Sequence, residues 1–481
     1  MRPAAEGAAL SLAMDYPTAP VAGAVIDSER IIDWIGGGVV GGIIAILIGV
    51  VTWVIKRRRE PTGARQMWME TVPRSLVDRN LDEPEATAIS MQINDQDVVS
   101  PYVVDQIESS TILLSRCRGG IPMNPIRYHD DVEVPVENEA EISQRIVERM
   151  AATQAENADR HRHAHRDAHA KSHAIITGQL TVHDDLPHEL AQGIFATPGT
   201  HEVVARLSSA PGDIHSDEIP APRGFALKII GVEGERLSPD LGGANQDFLM
   251  VNFPTLAFGT VTKYEDMLDI LEKNASNPAA AQKAVSAAAR GIASITEKLG
   301  RTPGATVQGL ANDYSHILGE TFYTQAAIRY GDHVAKMSLA PTGEVAELTG
   351  VDVGDDFDAM RTAVVRHFMT KGATYELRAQ LCTDLKTMPV EDAAVLWDED
   401  ESPFRVVATV RFDPQDVGGP ARRVAGDDHL AFNPWNGVEA HRPLGSIMRV
   451  RKLAYESSSV QRHHLNDVTR HEPDALTEIP T

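Results

Sequence analysis

From about residue 165 the chain settles into short apolar stretches broken by Pro, Gly and Asp. Four of them, 173–182 (HAIITGQLTV), 201–209 (HEVVARLSS), 223–232 (RGFALKIIGV) and 246–253 (QDFLMVNF), are β-branched or alternate between apolar and polar positions. That pattern predicts strands. Helical periodicity takes over at 264–274 and 278–299, the second stretch Ala-rich and followed by Gly300 as a stop. Four further strands are predicted at 321–331, 333–341, 374–384 and 404–415, the first two joined by Gly331-Asp332 in a hairpin. Residues 446–466 read as a closing helix behind Pro443 and Gly445. Four strands, helices, four strands and a helix do not alternate as βαβ units do. The order predicts an α+β fold in which an eight-stranded antiparallel sheet closes into a barrel with helices outside.

One segment has a different pattern. Between Trp34 and Ile55 the chain runs 22 residues without a charge. As a helix this is about 33 Å long, enough to cross a bilayer. Trp34 and Trp53 sit near its ends, where interfacial aromatics are common. Lys56, Arg57, Arg58 and Arg59 follow at once, whereas the preceding side holds Asp27, Glu29, Arg30 and Asp33. The positive-inside rule then makes the chain a single-pass membrane protein with its C-terminal bulk on the cytoplasmic side. Gly37/Gly41 and Gly38/Gly42 have the GxxxG spacing of helix association, and glycine is also simply frequent in such spans. The expected organisation is a tail at 1–33, a span at 34–55, a linker or accessory region at 56–121, a folded domain at 122–467 and a second tail at 468–481.

Composition narrows the functions. The chain has 481 residues, 42% of them hydrophobic, enough for a sizeable core. Its 68 acidic residues outnumber 45 basic ones, for a net charge of -23, which argues against nucleic acid as a partner. Two cysteines, Cys117 and Cys382, exclude a disulfide framework and a cysteine-rich metal site.

Three groups of residues carry candidate chemistry. In the closing helix Arg451 and Tyr455 stand at i and i+4 on one face, with Arg462 two turns further on. A cation beside a phenol favours phenolate, a hard anionic ligand for ferric iron; a core tyrosine with surface arginines has the same spacing. The second group is RDAHAKSH at 166–173, where His169 is placed for acid–base work. Ahead of it His161, His163 and His165 alternate with other residues, a pattern shared by loose metal sites and solvated polar tracts. The third is Arg206, on a strand, where a buried guanidinium needs an anionic partner such as a haem propionate or a protein carboxylate.

Residues from about 122 to 467 resemble the haem catalase superfamily, specifically its shorter catalase-related branch. HAKS at 169–172 resembles the HAKG-type distal-histidine motif, and RLSS at 206–209 the RFST strand. APRGFALK at 221–228 resembles DPRGFAVK, and RKLAY at 451–455 the R-x-x-x-Y motif of the proximal tyrosine. NPWNG at 433–437 and HRPLG at 441–445 resemble the short branch. The resemblance implies a catalase-like barrel holding haem b, with Tyr455 as iron ligand and Arg451 keeping it phenolate. It implies His169 as distal acid–base group, Ser208 as its support, and Arg166, Arg206 and Arg462 as the propionate-binding set. The distal asparagine falls on Asn252 or Asn245, although alignment on Pro254 puts Val251 at the strict position. The aromatic against the haem is Phe258 or Tyr264. After Tyr455 the familiar YPDTHRHR is replaced by YESSSVQR.

The implied function is haem-dependent breakdown of hydrogen peroxide or organic hydroperoxides. Two alternatives stay open: a fatty-acid hydroperoxide isomerase or dehydratase similar to allene oxide synthase, and a non-enzymatic membrane-tethered haem-binding protein. A homo-oligomer is open as well.

Overall fold

The computed structural model describes residues 124–210, 212–219, 221–256, 258–273 and 315–481. In order these form α1 (Glu139–His161), β1 (Lys171–Val182), β2 (Gly199–Ser209), β3 (Arg223–Ile229), β4 (Gln246–Val251) and α2 (Val261–Lys273). There follow β5 (Phe322–Tyr323), β6 (Ile328–Tyr330), β7 (His333–Thr342), α3 (Ala359–Phe368), β8 (Ala373–Leu381), β9 (Arg405–Phe412), α4 (Pro420–Val424) and α5 (Ser446–Asn466). The sheet runs β5-β4-β3-β2-β1-β9-β8-β7-β6, all antiparallel, and β5 also pairs with β7. That last pairing closes eight strands into a ring, with β6 appended to β7, so the barrel expected from the strand pattern is present.

Alternation along each strand sorts its residues between two environments. Ala205 and Leu207 on β2, Phe225 and Leu227 on β3 and Met337 and Leu339 on β7 point inward and fill the barrel. The opposite faces of β1–β4 carry Ile175, Val204, Ala226 and Leu249, covered from outside by Leu430, Phe432 and Ile479. Farther along the same outer face come Arg206, Ser208, Gly224 and Val251. Helix α5 packs against α1 and α2 through Ile142, Ile146, Val261 and Val450.

Several expectations are corrected. The strand expected at 321–331 is broken into β5 and β6, because Gln325 takes a left-handed turn (φ 62°) and Thr324 Oγ1 accepts the Met337 amide. Helices α1 and α3 were not expected. The apolar positions of α1 form a narrow stripe in a highly charged run, whereas α3 presents Met360, Val364 and Phe368 four residues apart, a readable helix signal. Segment 468–481 is not a detached tail: Ile479 is buried and the Pro480 carbonyl accepts from Arg422. Among the described residues no helix is long and apolar enough to cross a membrane. The span expected from Trp34 to Ile55 lies outside the described residues, as do segments 1–33 and 56–121 and the helix expected at 278–299.

The C-terminal segment is held by a buried charge cluster. Lys228 on β3 bonds both oxygens of Asp247 (2.8 and 2.9 Å) and Glu472 (2.7 Å), with its side chain wholly buried. Burial, against the pull of Lys228, pushes Asp247 up to about 7. Removing the lysine leaves two desolvated carboxylates facing each other. Lys228→Met is therefore expected to destabilise the protein by about 3–5 kcal/mol at pH 8. The cost shrinks toward pH 5, where Asp247 takes a proton. Urea unfolding at both pH values checks this, and equal costs at the two would refute it.

Candidate active site

A cavity lies between the outer face of β1–β4 and helix α5. One wall is polar, from residues 166–169, Arg206 and Ser208. Another is apolar, from Ala226, Leu249, Met250, Val251 and Phe432. Helix α5 supplies Arg451, Tyr455, Ser458, Ser459 and Arg462.

His169 ends the loop before β1 in a left-handed conformation (φ 53°), uncommon for a residue with a side chain. Arg206 holds it there, donating to the carbonyls of His169 (3.0 Å) and Ala170 (3.2 Å). Ser208 Oγ lies 3.4 Å from His169 Nδ1. The neighbouring strand position is Gly224, where a Cβ would fall 2.7 Å from His169 Nδ1 and 2.8 Å from Ser208 Oγ. The missing side chain is thus what lets the imidazole lie against the barrel. Burial, and then the charges of Arg206 and Arg451, push His169 down to about 3. The ring is neutral at physiological pH.

Helix α5 begins after Gly445, which has φ 90°. Arg449 fixes its rotation through contacts with Glu133, Glu139 and Glu391. Two residues on, Arg451 turns to the cavity and donates to the Tyr455 hydroxyl at 2.8 Å, with its guanidinium carbon 5.1 Å from the ring centroid.

Three guanidiniums converge on one turn, Ala425–His429, whose π-helical winding exposes its carbonyls. Arg166 donates to Gly426 (2.9 Å) and Leu430 (2.8 Å), and Arg462 to Asp427 and Asp428 (2.6 Å each). Asp427 pairs with Arg166 (3.7 Å) and Arg206 (3.4 Å). Burial and then the charges of Arg206 and Arg462 hold Arg166 well below its ordinary value; burial and Arg206 push Arg462 down to about 10. Arg462 Nε, buried, has no hydrogen-bond partner among the described residues. The cradle suits an anionic ligand.

The expected site residues divide into two groups. His169, Ser208, Arg166, Arg206, Arg451, Arg462 and Tyr455 all line the cavity. Asn245 and Asn252 do not. Asn245 precedes β4 at the far end from Val251 and donates to Pro473, while Asn252 Oδ1 accepts the Arg223 amide. Strand alternation turns Val251 to the cavity instead, so the amide expected there is replaced by an isopropyl group. Phe258 and Tyr264 also stand outside the lining. Tyr264 packs in the α1–α2–α5 cluster, its hydroxyl pushed up to about 12 by burial and then by Asp167 and Tyr455. The histidine tract pairs with carboxylates, His161 with Asp213 (2.5 Å) and His163 with Asp428 (2.7 Å). Among the described residues no group of three His, Cys, Asp or Glu is placed to hold a metal ion. Asp167, Asp427, Phe432 and Ser458 were not singled out from sequence; of these only Asp167, beside Arg166, had a local signal.

No family model and no curated protein matches the chain. Solved structures do. A fungal catalase matches with 15% identity and a TM-score of 0.46, over 65% of this chain and 64% of that one. Catalase A from Saccharomyces cerevisiae matches with 15% identity and a TM-score of 0.45, over 66% of each. A bacterial catalase matches with 16% identity and a TM-score of 0.44, over 72% of this chain and 65% of that one. The chain thus spans slightly under two thirds of the length of these structures.

The contact between Gly224 and His169 is directly testable. Gly224→Ala is expected to push the imidazole off Ser208, costing about 1–3 kcal/mol in overpacking. In the unmodified protein the His169 ring signal in NMR should stay flat between pH 5 and 8; in the variant it should move. A ring titrating near 6.5 in the unmodified protein would contradict the enclosure described.

Proposed function

We propose that the cavity binds haem and that the protein breaks down hydrogen peroxide or organic hydroperoxides. The observation that carries this is the meeting, in one cavity, of the Arg451–Tyr455 pair, the His169–Ser208 pair and a cradle of three arginines in which the buried Arg462 Nε has no partner among the described residues. The residues fit the group: a phenol held by a guanidinium for the iron, buried cations and the unpartnered Arg462 Nε for the two carboxylates, and a glycine that leaves room for the His169 ring. Haem bound there would supply the redox centre at which the peroxide O–O bond is cleaved.

The chain's own groups do the rest. Arg451 balances the negative charge of the Tyr455 oxygen. His169, neutral and lining the cavity, takes the peroxide proton and returns it to the departing oxygen. Ser208 and Arg206 keep the ring in that attitude. Val251, Met250, Leu249 and Phe432 place apolar surface beside the reacting space. This wall favours organic hydroperoxides and supports isomerisation of a lipid hydroperoxide as a second reading, told apart by its product. We also read Trp34–Ile55 as a single-pass anchor with this domain on the cytoplasmic side. Release of the full chain from membranes by alkaline carbonate would refute that.

Reconstitution with ferric haem tests the main reading. The unmodified protein is expected to give the absorption of high-spin iron with a tyrosinate ligand, and Tyr455→Phe to lose it. His169→Ala should keep haem and lose about 10²–10⁴-fold of peroxide turnover. A spectrum indifferent to Tyr455 would overturn the proposal.

A further inference from the structure

The three arginines of the cavity are not held alike. Their terminal nitrogens go to backbone carbonyls: Arg206 to His169 and Ala170, Arg166 to Gly426, Asp427 and Leu430, and Arg462 to Asp427, Asp428 and Leu430. Carboxylate contact is confined to two of them. Asp427 Oδ1 lies 3.4 Å from Arg206 Nε and 3.7 Å from Arg166 Nη1. Among the described residues no carboxylate comes within ion-pair distance of Arg462, whose buried Nε has no partner. The other acids nearby are placed differently. Asp428 Oδ1 pairs with His163 Nε2 at 2.7 Å, beyond the end of α1, and Asp167 adjoins Arg166 in the cavity wall.

Asp427 is a necessary but loose partner. Two desolvated guanidiniums that converge on neutral carbonyls need an anion close by. Burial pulls Arg206 below its ordinary value, and Asp427 is the charge that opposes the shift. Both of its contacts are nevertheless longer than the roughly 2.7–2.9 Å of a well-formed charge-assisted bond. Asp427 stands outside the cavity lining and keeps 30% of its side chain exposed. A carboxylate so placed can be exchanged for another without stranding a buried charge. An anion entering at Arg206 and Arg166 therefore finds that position taken, whereas at Arg462 it does not.

Resting on the haem reading, we propose that Asp427 is a resident counter-anion, which holds the Arg166–Arg206 half of the cradle together while the cavity is empty and competes there with one carboxylate of an entering dicarboxylate porphyrin. The other carboxylate meets Arg462 without a rival. Asp427 thus stabilises the empty protein and weakens binding of the ligand. Those two effects have opposite signs. A residue that only packs the turn would lower stability and affinity together when replaced.

Protoporphyrin IX, its monomethyl ester and its dimethyl ester are the probes, because they differ only in their carboxylates and carry no iron. In fluorescence titrations of the full chain, Asp427→Asn should bind protoporphyrin about three- to tenfold more tightly, with the dimethyl ester unchanged. The same variant, empty, should unfold at lower urea concentration. Asp428→Asn, one position along the same turn, should tighten binding far less. In the unmodified protein the monomethyl ester should bind within about fivefold of the diacid, since the second carboxylate has Asp427 to displace. This last comparison needs no variant to fold. Protoporphyrin affinity unchanged or lowered in Asp427→Asn, equal tightening of the dimethyl ester, equal tightening in Asp428→Asn, or a larger gap between diacid and monoester would each overturn the proposal while leaving the haem reading standing. Failure of haem and of all three porphyrins to bind would overturn the haem reading and the proposal together.

Discussion

Arg206 is buried in a strand, and a guanidinium in that position is tolerable only if its donors find acceptors. It finds them on two other segments: the His169 and Ala170 carbonyls before β1, and the Asp427 carboxylate on the turn ahead of α5. Meeting that one demand fixes the left-handed twist at His169, brings the turn against the barrel and draws Arg166 and Arg462 to the same carbonyls. Three cations thereby share one turn, held by its carbonyls and by the Asp427 carboxylate.

The barrel explains why this arrangement is reproducible. Alternation is a period of two, so once Leu207 and Phe225 are committed to the interior, Arg206, Ser208 and Gly224 have to face out. The same logic turns Val251 into the cavity and Asn252 away from it. An amide cannot be recovered by sliding one residue without also exposing Phe248 and Met250.

This is also where reading the sequence succeeded and where it stopped. The strands were legible because each carries its own alternation, and α5 was legible to its boundaries because Gly445 and the apolar spacing mark it. His169, Arg206, Ser208, Arg451 and Tyr455 were legible because each sits in a short run of residues that share an element. Asn252 was misplaced because strand parity, not distance from Pro254, decides which side chain meets the cavity. Asp427 and Phe432 have no local mark; Asp427 meets Arg206 across 221 positions of sequence. The split of 321–331 depended on one backbone angle at Gln325, which hydropathy does not encode.

That long separation has a consequence for how the molecule is made. The walls of the cavity come from residues 166–169 at one end and from 425–462 at the other, and Glu472 is tied to Lys228 beyond them. While the chain is being synthesised, the barrel strands up to β9 can be present with no turn to receive Arg166 and no helix to bring Tyr455. The loop-closure entropy for joining these ends is met only after α5 has been made. The site therefore closes later than the barrel, and a chain truncated between β9 and α5 carries the barrel's strands without Arg451, Tyr455 and Arg462.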